Sequence, residues 1–307
     1  MRPATDARWP SAPTARTERG ETLDVSVIVP ARNAAHLLDE CLASVRASNP
    51  REVIVIDGNS TDASREVARR HADLVLSDGG RGLPVARMIG VQAATSRWVA
   101  LVDADVVLPA GAIGDLLNEL LEGDYTALQA GLHSVSGPGY WGRALVHHHS
   151  GGRSKHWFGV VTTVMERSTL LALGFDERFS SGEDIDLRWR LRRSAARIGV
   201  SRRVVVAHRF EDSFAAAREQ WTMDGRGLGR MVLEHRVRAL PLLALPLGGF
   251  VWGVANSLAH LQPQWIPYFV GYAALNYVAL LEELGSGLAQ RRAGQPRRRT
   301  QANSVRP

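Results

Sequence analysis

The stretch Val99-Ala-Leu-Val-Asp-Ala-Asp-Val-Val-Leu-Pro109 constrains the fold more than any other in the chain. A continuous apolar run reads as a strand buried on both faces, as in a parallel sheet covered by helices. Two carboxylates, Asp103 and Asp105, interrupt it, and a charge inside such a sheet is costly unless it is paired or metal-bound. The strand is therefore expected to end there. Both acids then lie at the carboxyl edge of the sheet, where open α/β folds bind their ligands.

The preceding residues repeat a strand–helix alternation. Val25-Ser-Val-Ile-Val29 is a β-branched strand ending at Pro30, and His36–Val45 has helical spacing. Glu52–Ile56 is a second strand, closed by Asp57-Gly-Asn-Ser-Thr-Asp62, where Ser60 or Thr61 can cap the next helix. Leu74–Leu76 is a third strand, and a helix over Val85–Ala94 leads into the fourth. Such repeats predict a parallel, right-handed, doubly wound sheet. The regularity stops at residues 131–159, rich in glycine, histidine and aromatics, which read as a long functional loop. Val160–Met165 returns to strand character, a helix follows Ser181, and another covers Phe214–Arg236.

The length suits one catalytic domain plus an appendage. A single cysteine, Cys41, excludes an intrachain disulfide and a cysteine-based zinc site; on an apolar helical face it reads as a small buried hydrophobe. The net charge of +6 is almost wholly arginine, because Lys155 is the only lysine. No nucleic-acid module accompanies that charge. Residues 1–22 lack the apolar core of a signal peptide, so the catalytic part is expected to stay in the cytoplasm.

From Ala239 to Leu281 there is no Asp, Glu, Lys or Arg. This run has room for two helices of roughly 20 residues, the length that crosses a bilayer core. Gln262-Pro263-Gln264 breaks it, and arginines flank both outer ends, which places those ends in the cytoplasm. A buried helical pair, or helices lying flat on the membrane, are the alternatives. The organisation read from sequence is a disordered tail (1–22), an α/β catalytic domain (23–236), a hydrophobic membrane-associated helical hairpin (237–285) and a basic disordered tail (286–307).

Asp-x-Asp at a sheet edge can grip a hard divalent cation through oxygen, and magnesium or manganese favours such ligands beside substrate phosphates. Alone, the motif more often marks a strand end with a helix-capping aspartate. Ser180-Ser-Gly-Glu-Asp-Ile-Asp-Leu-Arg-Trp-Arg190 is a second acidic cluster. Taken by itself it is a capped helix start with Asp184–Arg188 and Asp186–Arg190 pairs.

Order changes the odds. Val-Ser-Val-Ile-Val-Pro-Ala-Arg-Asn33, Val-Ile-Val-Ile-Asp-Gly-Asn-Ser-Thr-Asp62, Leu-Val-Asp-Ala-Asp105, Gly-Phe-Asp-Glu-Arg-Phe179 and Gly-Glu-Asp-Ile-Asp-Leu187 together resemble glycosyltransferase family 2 over residues 24–230. The resemblance implies a GT-A fold, Rossmann-like with a mostly parallel sheet, and inverting transfer from a nucleotide sugar. It places Pro30, Ala31, Arg32, Asn33, Asp57, Arg87, Asp103 and Ala104 at the nucleotide sugar. UDP is the favoured nucleotide, but the family's second acid after Asp57, associated with the pyrimidine base, is Gly58 here, which counts against uridine and leaves GDP open. Arg87 is either near the diphosphate or on a helix surface. Asp103, Asp105 and His208 are assigned to a divalent cation, Mg2+ or Mn2+, with His208 alternatively a hydrogen-bonded core residue. Asp184 matches the acid expected to act as general base, and Glu183 and Trp157 are assigned to the acceptor side. Trp157 either stacks on a sugar or packs its loop. Adjacent side chains in His147-His148-His149 do not converge on one ion, so that run reads as part of an exposed acceptor loop.

The function expected is therefore inverting, metal-dependent transfer of a sugar to a hydroxyl of a lipid-linked or cell-envelope glycan, at the cytoplasmic face of the cell membrane. A sugar nucleotidyltransferase would need a Gly- and Lys-containing loop after the first strand, which Pro30-Ala-Arg-Asn-Ala-Ala35 does not provide. A dinucleotide-binding oxidoreductase would need G-x-G-x-x-G there. A non-catalytic scaffold that keeps the fold is the third alternative.

Overall fold

The computed structural model describes residues 22–150, 157–179 and 181–292. The expected alternation is present: β1 (Leu23–Ala31), α1 (Ala35–Arg46), β2 (Pro50–Asp57), α2 (Ser64–His71), β3 (Leu74–Ser77), α3 (Leu83–Ala93) and β4 (Trp98–Val102). There follow β5 (Val106–Val107), α4 (Ala112–Glu122), β6 (Ala127–Ser136), α5 (Tyr140–Ser150), β7 (Thr162–Glu166), α6 (Arg167–Leu173), α7 (Glu183–Arg193) and β8 (Ile198–Phe210). The chain ends in α8 (Phe214–His235), α9 (Leu245–Ala259) and α10 (Ile266–Arg292).

The sheet order is β3-β2-β1-β4-β7-β6-β8-β5. β1 to β4 pair in parallel, and so do β6 and β8; β7 and β5 are antiparallel to their neighbours. The sheet is thus mostly parallel, with an antiparallel part beyond the predicted repeats. The three residues between β4 and β5 leave no room for a crossover helix, so the chain cannot return in parallel there.

Strand parity builds two cores. Val25, Val27, Val29, Val53, Val55, Ala100 and Val102 point to one face, onto α1 and α4. Ile28, Ile54, Ile56, Val99 and Leu101 point to the other, where residues of α3, α6 and α7 cover them. Successive strand residues alternate in this way because the pleat has a period of two.

The sequence reading needs correcting in several places. Residues 131–159 are not a single loop: β6 runs through Ser136 and α5 starts at Tyr140. The glycines that suggest irregular chain surround one carboxylate instead. Asp212 accepts hydrogen bonds from the Gly139 and Gly142 amides, and a side chain at Gly137, Gly139 or Gly142 would run into it. His147–His149 sit on α5, half-buried rather than exposed. His148 Nδ1 lies 3.1 Å from the Tyr268 hydroxyl, and burial pushes its pKa down to about 4. The caps differ too. α2 begins after Ala63, beside the Asp62 carboxylate, and α7 follows Gly182 (φ 83) with no side-chain cap. The tail assigned to 1–22 lies almost entirely outside the described residues, and α10 runs through Arg292 into the segment assigned to the basic tail.

At the C-terminal end, Phe214–Ala259 is helical throughout, and by length and composition it could cross a membrane, with a mean hydropathy of 1.6 in its most apolar window. The two helices of the uncharged run are unequal, α9 with 15 residues and α10 with 27. α10 lies lengthwise and parallel along α8. Gly271, Asn276, Leu280 and Gly287 of α10 meet Trp221, Gly225, Gly229 and Leu233 of α8 in turn. A Cβ at Gly225 would collide with the Asn276 carbonyl oxygen, whereas one at Gly285 meets nothing. Gly225→Ala is therefore expected to destabilise the fold by about 1–3 kcal/mol through overpacking. Gly285→Ala should stabilise it by up to about 1 kcal/mol, because alanine is the better helix former. Denaturant unfolding of both variants checks the pair, and equal midpoints would refute the close α8–α10 contact.

Candidate active site

The β4 strand ends at Val102, and Asp103, Ala104 and Asp105 form a turn closed by the Val106 amide on the Asp103 carbonyl. β5 then pairs with β8, setting His208 opposite Val106. The Arg209 amide donates to the Asp105 carbonyl at 2.9 Å, so β8 grips this turn from outside. His208 Nε2 lies 3.2 Å from Asp105 Oδ2. Burial alone would push the Asp105 carboxyl up and the His208 imidazole down. Their mutual attraction overcomes it, so Asp105 is lowered and His208 raised.

Arg87 is neither a surface residue nor a free arm for a diphosphate. It comes from α3, is 2% exposed, and bonds Glu183 Oε1 at 2.8 Å through Nη1 and Asp103 Oδ1 at 2.9 Å through Nη2. Burial works against its charge and the two carboxylates outweigh that cost. The β4 edge and the start of α7 thus stand one guanidinium apart. Glu183, assigned from sequence to the acceptor, is 7% exposed and spends an oxygen on this bridge.

Asp184 follows on the first turn of α7. Burial, then repulsion from the adjacent Glu183, raises its carboxyl to about 7. The Trp157 indole N–H approaches Asp184 Oδ2 at 3.5 Å, and the Arg188 guanidinium stacks over the Trp157 ring at 4.2 Å. Arg188 is thus spent on the indole, and the expected i,i+4 pairing forms at Asp186–Arg190 (2.8 Å). Trp157 is placed by Gln129 of β6. The Gln129 amide donates to the Trp157 carbonyl at 3.1 Å and accepts from the Gly159 amide at 2.7 Å. Sequence reasoning missed Gln129 and paired Arg188 with Asp184 instead of the Trp157 ring. The available signal was Gln129 itself, a polar side chain inside the apolar run of β6, which must find partners when fully buried.

The nucleotide side is assembled from the ends of β1 and β2. Ala31 pairs with Asp57 in register, and its carbonyl accepts from the Gly58 amide at 2.8 Å. Asn33, in the left-handed region (φ 50), binds the Thr61 amide, while its own amide donates to Ser60 Oγ. Asp57 is 2% exposed and accepts from Arg65 at 2.6 Å and from the Ser60 amide. These bonds, against the opposing effect of burial, hold its carboxyl low. Asp57 therefore shapes the 57–62 loop from within. Pro30 and Ala31 end the strand, and Arg32 is exposed, its Cβ 3.0 Å from where a Gly58 side chain would begin.

A cation would find oxygen and nitrogen donors here. Among the described residues no three metal-ligating side chains converge on one point. Asp105 Oδ1 is nevertheless buried without a hydrogen-bond partner, while Oδ2 faces His208. An orphaned carboxylate oxygen beside an imidazole fits a hard or borderline divalent ion.

Comparison with known proteins bears on the family and the fold. The model of the family "Glycosyl transferase family 2" matches residues 26–176. The pre-mycofactocin glycosyltransferase of Mycobacterium tuberculosis is 27% identical over 256 residues, covering 77% of this chain and 52% of its own, so the chain spans about half the length of that relative. The succinoglycan biosynthesis protein ExoA of Rhizobium meliloti is 26% identical, with 76% of this chain and 79% of its own covered. Among solved structures, the mannosyltransferase PcManGT from Pyrobaculum calidifontis, in complex with GDP-Man and Mn2+, superposes with a TM-score of 0.53. It is 21% identical and covers 91% of this chain and 77% of its own. With its landmarks in order on this mostly parallel sheet, the chain carries a glycosyltransferase family 2 match over residues 26–176 and has the GT-A fold.

Proposed function

We propose that the protein transfers a sugar from a nucleoside-diphosphate sugar to an acceptor hydroxyl with inversion, assisted by a divalent cation. The acceptor is a lipid-linked or cell-envelope glycan at the cytoplasmic membrane face. The observation that carries the reading is the Asp103–Arg87–Glu183 bridge, which sets the Asp-x-Asp edge and the Asp184 carboxyl at one rim. The donor's diphosphate lies at that edge, and the acceptor approaches from the α7 side. The name of one relative, a succinoglycan biosynthesis protein, supports a glycan acceptor, whereas the pre-mycofactocin glycosyltransferase is named for a different one.

In the reaction the acceptor oxygen attacks the anomeric carbon opposite the departing phosphate. Its proton passes to the Asp184 carboxylate, and the carbon–oxygen bond to the diphosphate breaks. One displacement inverts the centre. The Trp157 indole holds the Asp184 carboxyl in place, and burial with the adjacent Glu183 brings its basicity near neutrality, where a general base is most effective. Asp105 and His208, with Asp103 beside them, would hold the cation, which when bound neutralises charge on the leaving diphosphate. Gly58, in place of the family's second acid, offers no carboxylate to a pyrimidine; UDP remains the favoured donor and GDP the alternative.

Asp184→Asn should lower transfer by about 10²–10⁴-fold, the range of general-base contributions, with donor binding by calorimetry retained. Turnover equal to wild type would remove Asp184 from this role. Because the base works deprotonated and its carboxyl is raised to about 7, kcat should fall as pH drops below that value. A kcat flat from pH 5 to pH 8, measured where the donor saturates, would contradict it. Release of nucleoside diphosphate should appear with one donor in a screen supplied with manganese or magnesium, and chelation should abolish it. Release from no donor, with membranes present, would favour the non-catalytic scaffold.

A further inference from the structure

α9 and α10 pack antiparallel, Gly253 against Phe269 and Gly249 against Tyr272, and each leaves one side uncovered. On α9 the outward positions Leu247, Val251 and Leu258 recur at helical spacing and are 53%, 57% and 55% exposed. The turn after it adds Leu261, 88% exposed, and the short 3-10 segment before it adds Val237 and Leu240. α10 repeats the pattern with Val270, Val278 and Leu281. Large apolar side chains concentrated on one unit, within a run that has no charge, mark a surface meant to be covered.

The geometry decides how. α9 and the 3-10 segment before it are together long enough to cross the roughly 30 Å hydrocarbon core, but Asn256 of α9 lies 3.1 Å from His147 of α5, which holds α9 against the α/β domain. The uncharged part of α10 ends at Leu281, and the next residues, Glu282 and Glu283, pair with Arg226 and Arg230 of α8. α10 is also bound along its length to α8, which carries Arg218, Glu219 and Asp224. α10 cannot enter hydrocarbon as a span without drawing these charges in. A helical unit with one apolar side and charges kept at its edges lies in the interface.

We propose that the outward side of α9 and α10 seats on an anionic lipid bilayer, lying in the interface rather than crossing it. This deepens the membrane reading above and rests on it for the acceptor's location. Charge complementarity selects the occupant. Arg236 and Arg238 are exposed at one margin of the patch, and Arg291 and Arg292 follow at the other end of the sequence run. Between Ala239 and Leu281 there is no acid to oppose them. Anionic headgroups match such a margin, whereas a second copy would bring basic margins against each other. Trp252 and Tyr277, half-buried in the same unit, are side chains suited to headgroup depth.

The test uses the full purified chain, with phosphatidylcholine vesicles with and without phosphatidylglycerol. Co-sedimentation should require the anionic lipid, weaken in high salt, and be reversed by alkaline carbonate. Leu247→Asp with Val251→Asp should reduce it by on the order of tenfold or more. Arg236→Glu with Arg238→Glu should weaken binding to anionic vesicles alone. These side chains are exposed, so the melting temperature should stay at the wild-type value. Leu247→Ala, a milder change, should give an intermediate loss. Carbonate-resistant binding would overturn the interfacial seat in favour of a span. Unchanged binding by the aspartate variant would overturn the assigned surface. A dimer in sedimentation velocity that the same variant dissolves, without vesicle binding, would assign the patch to a second copy. Vesicle binding is read without donor or turnover, so failure of the catalytic reading leaves this result separately interpretable.

Discussion

The site depends on one buried cation. The Arg87 guanidinium lies inside the protein between Asp103 and Glu183, carboxylates from elements far apart in the chain. Arg87 and Glu183 are buried while Asp103 is partly exposed; taking charges out of water costs several kcal/mol per ion, and only close, hydrogen-bonded geometry offsets this. Loss of one member would leave an uncompensated charge, at a cost of about 3–5 kcal/mol. The bridge therefore holds the β4 edge and the start of α7 in one relative position. Asp105 and Asp184, each next to a bridged acid, inherit that precision.

The fold was legible where the physics is local. The apolar runs of β1, β2 and β4 announced strands buried on both faces, and the structure places their alternate residues in two cores. The break of the fourth run at Asp103 located the sheet edge correctly. Legibility failed where a residue's meaning depends on a distant partner. Nothing within α3 distinguishes Arg87 from a solvated helix arginine; only the arrival of Glu183, 96 positions later, makes it a bridge. The glycines of residues 137–142 looked like loop signals because their reason, the Asp212 carboxylate, lies some 70 positions away. Glu183 followed the same rule: its acidity was visible, but its partner was not.

The C-terminal run illustrates a different limit. Composition distinguishes charged from uncharged segments, yet crossing a bilayer, lying on it and filling a core all favour the same residues. The decision came from what the run packs against. Glycines at 225 and 229 let α10 approach the α8 backbone closely, and that approach ties the apolar unit to a charged helix of the soluble domain.

The same helix reaches the catalytic side. On its opposite face, Gly227 packs against Gly182, its Cα 3.2 Å from where a Gly182 side chain would begin, at the turn that launches α7. His235 at the end of α8 bonds Asp186 at 2.9 Å. α8 therefore stands between α7 and α10, touching both through glycine. Helices in contact lie about 8–10 Å apart axis to axis, so α7 and α10 are separated by about two such spacings. With the outward side of α10 seated on a bilayer, Asp184 stands only a few helix diameters from the headgroups. On the proposed reading, an acceptor hydroxyl carried on a lipid would bridge that distance to meet the carboxyl, whereas a donor from the aqueous side would meet the sheet edge. The proposed division of the site into a nucleotide side on β1, β2 and β4 and an acceptor side on α7 accords with how the helices stack.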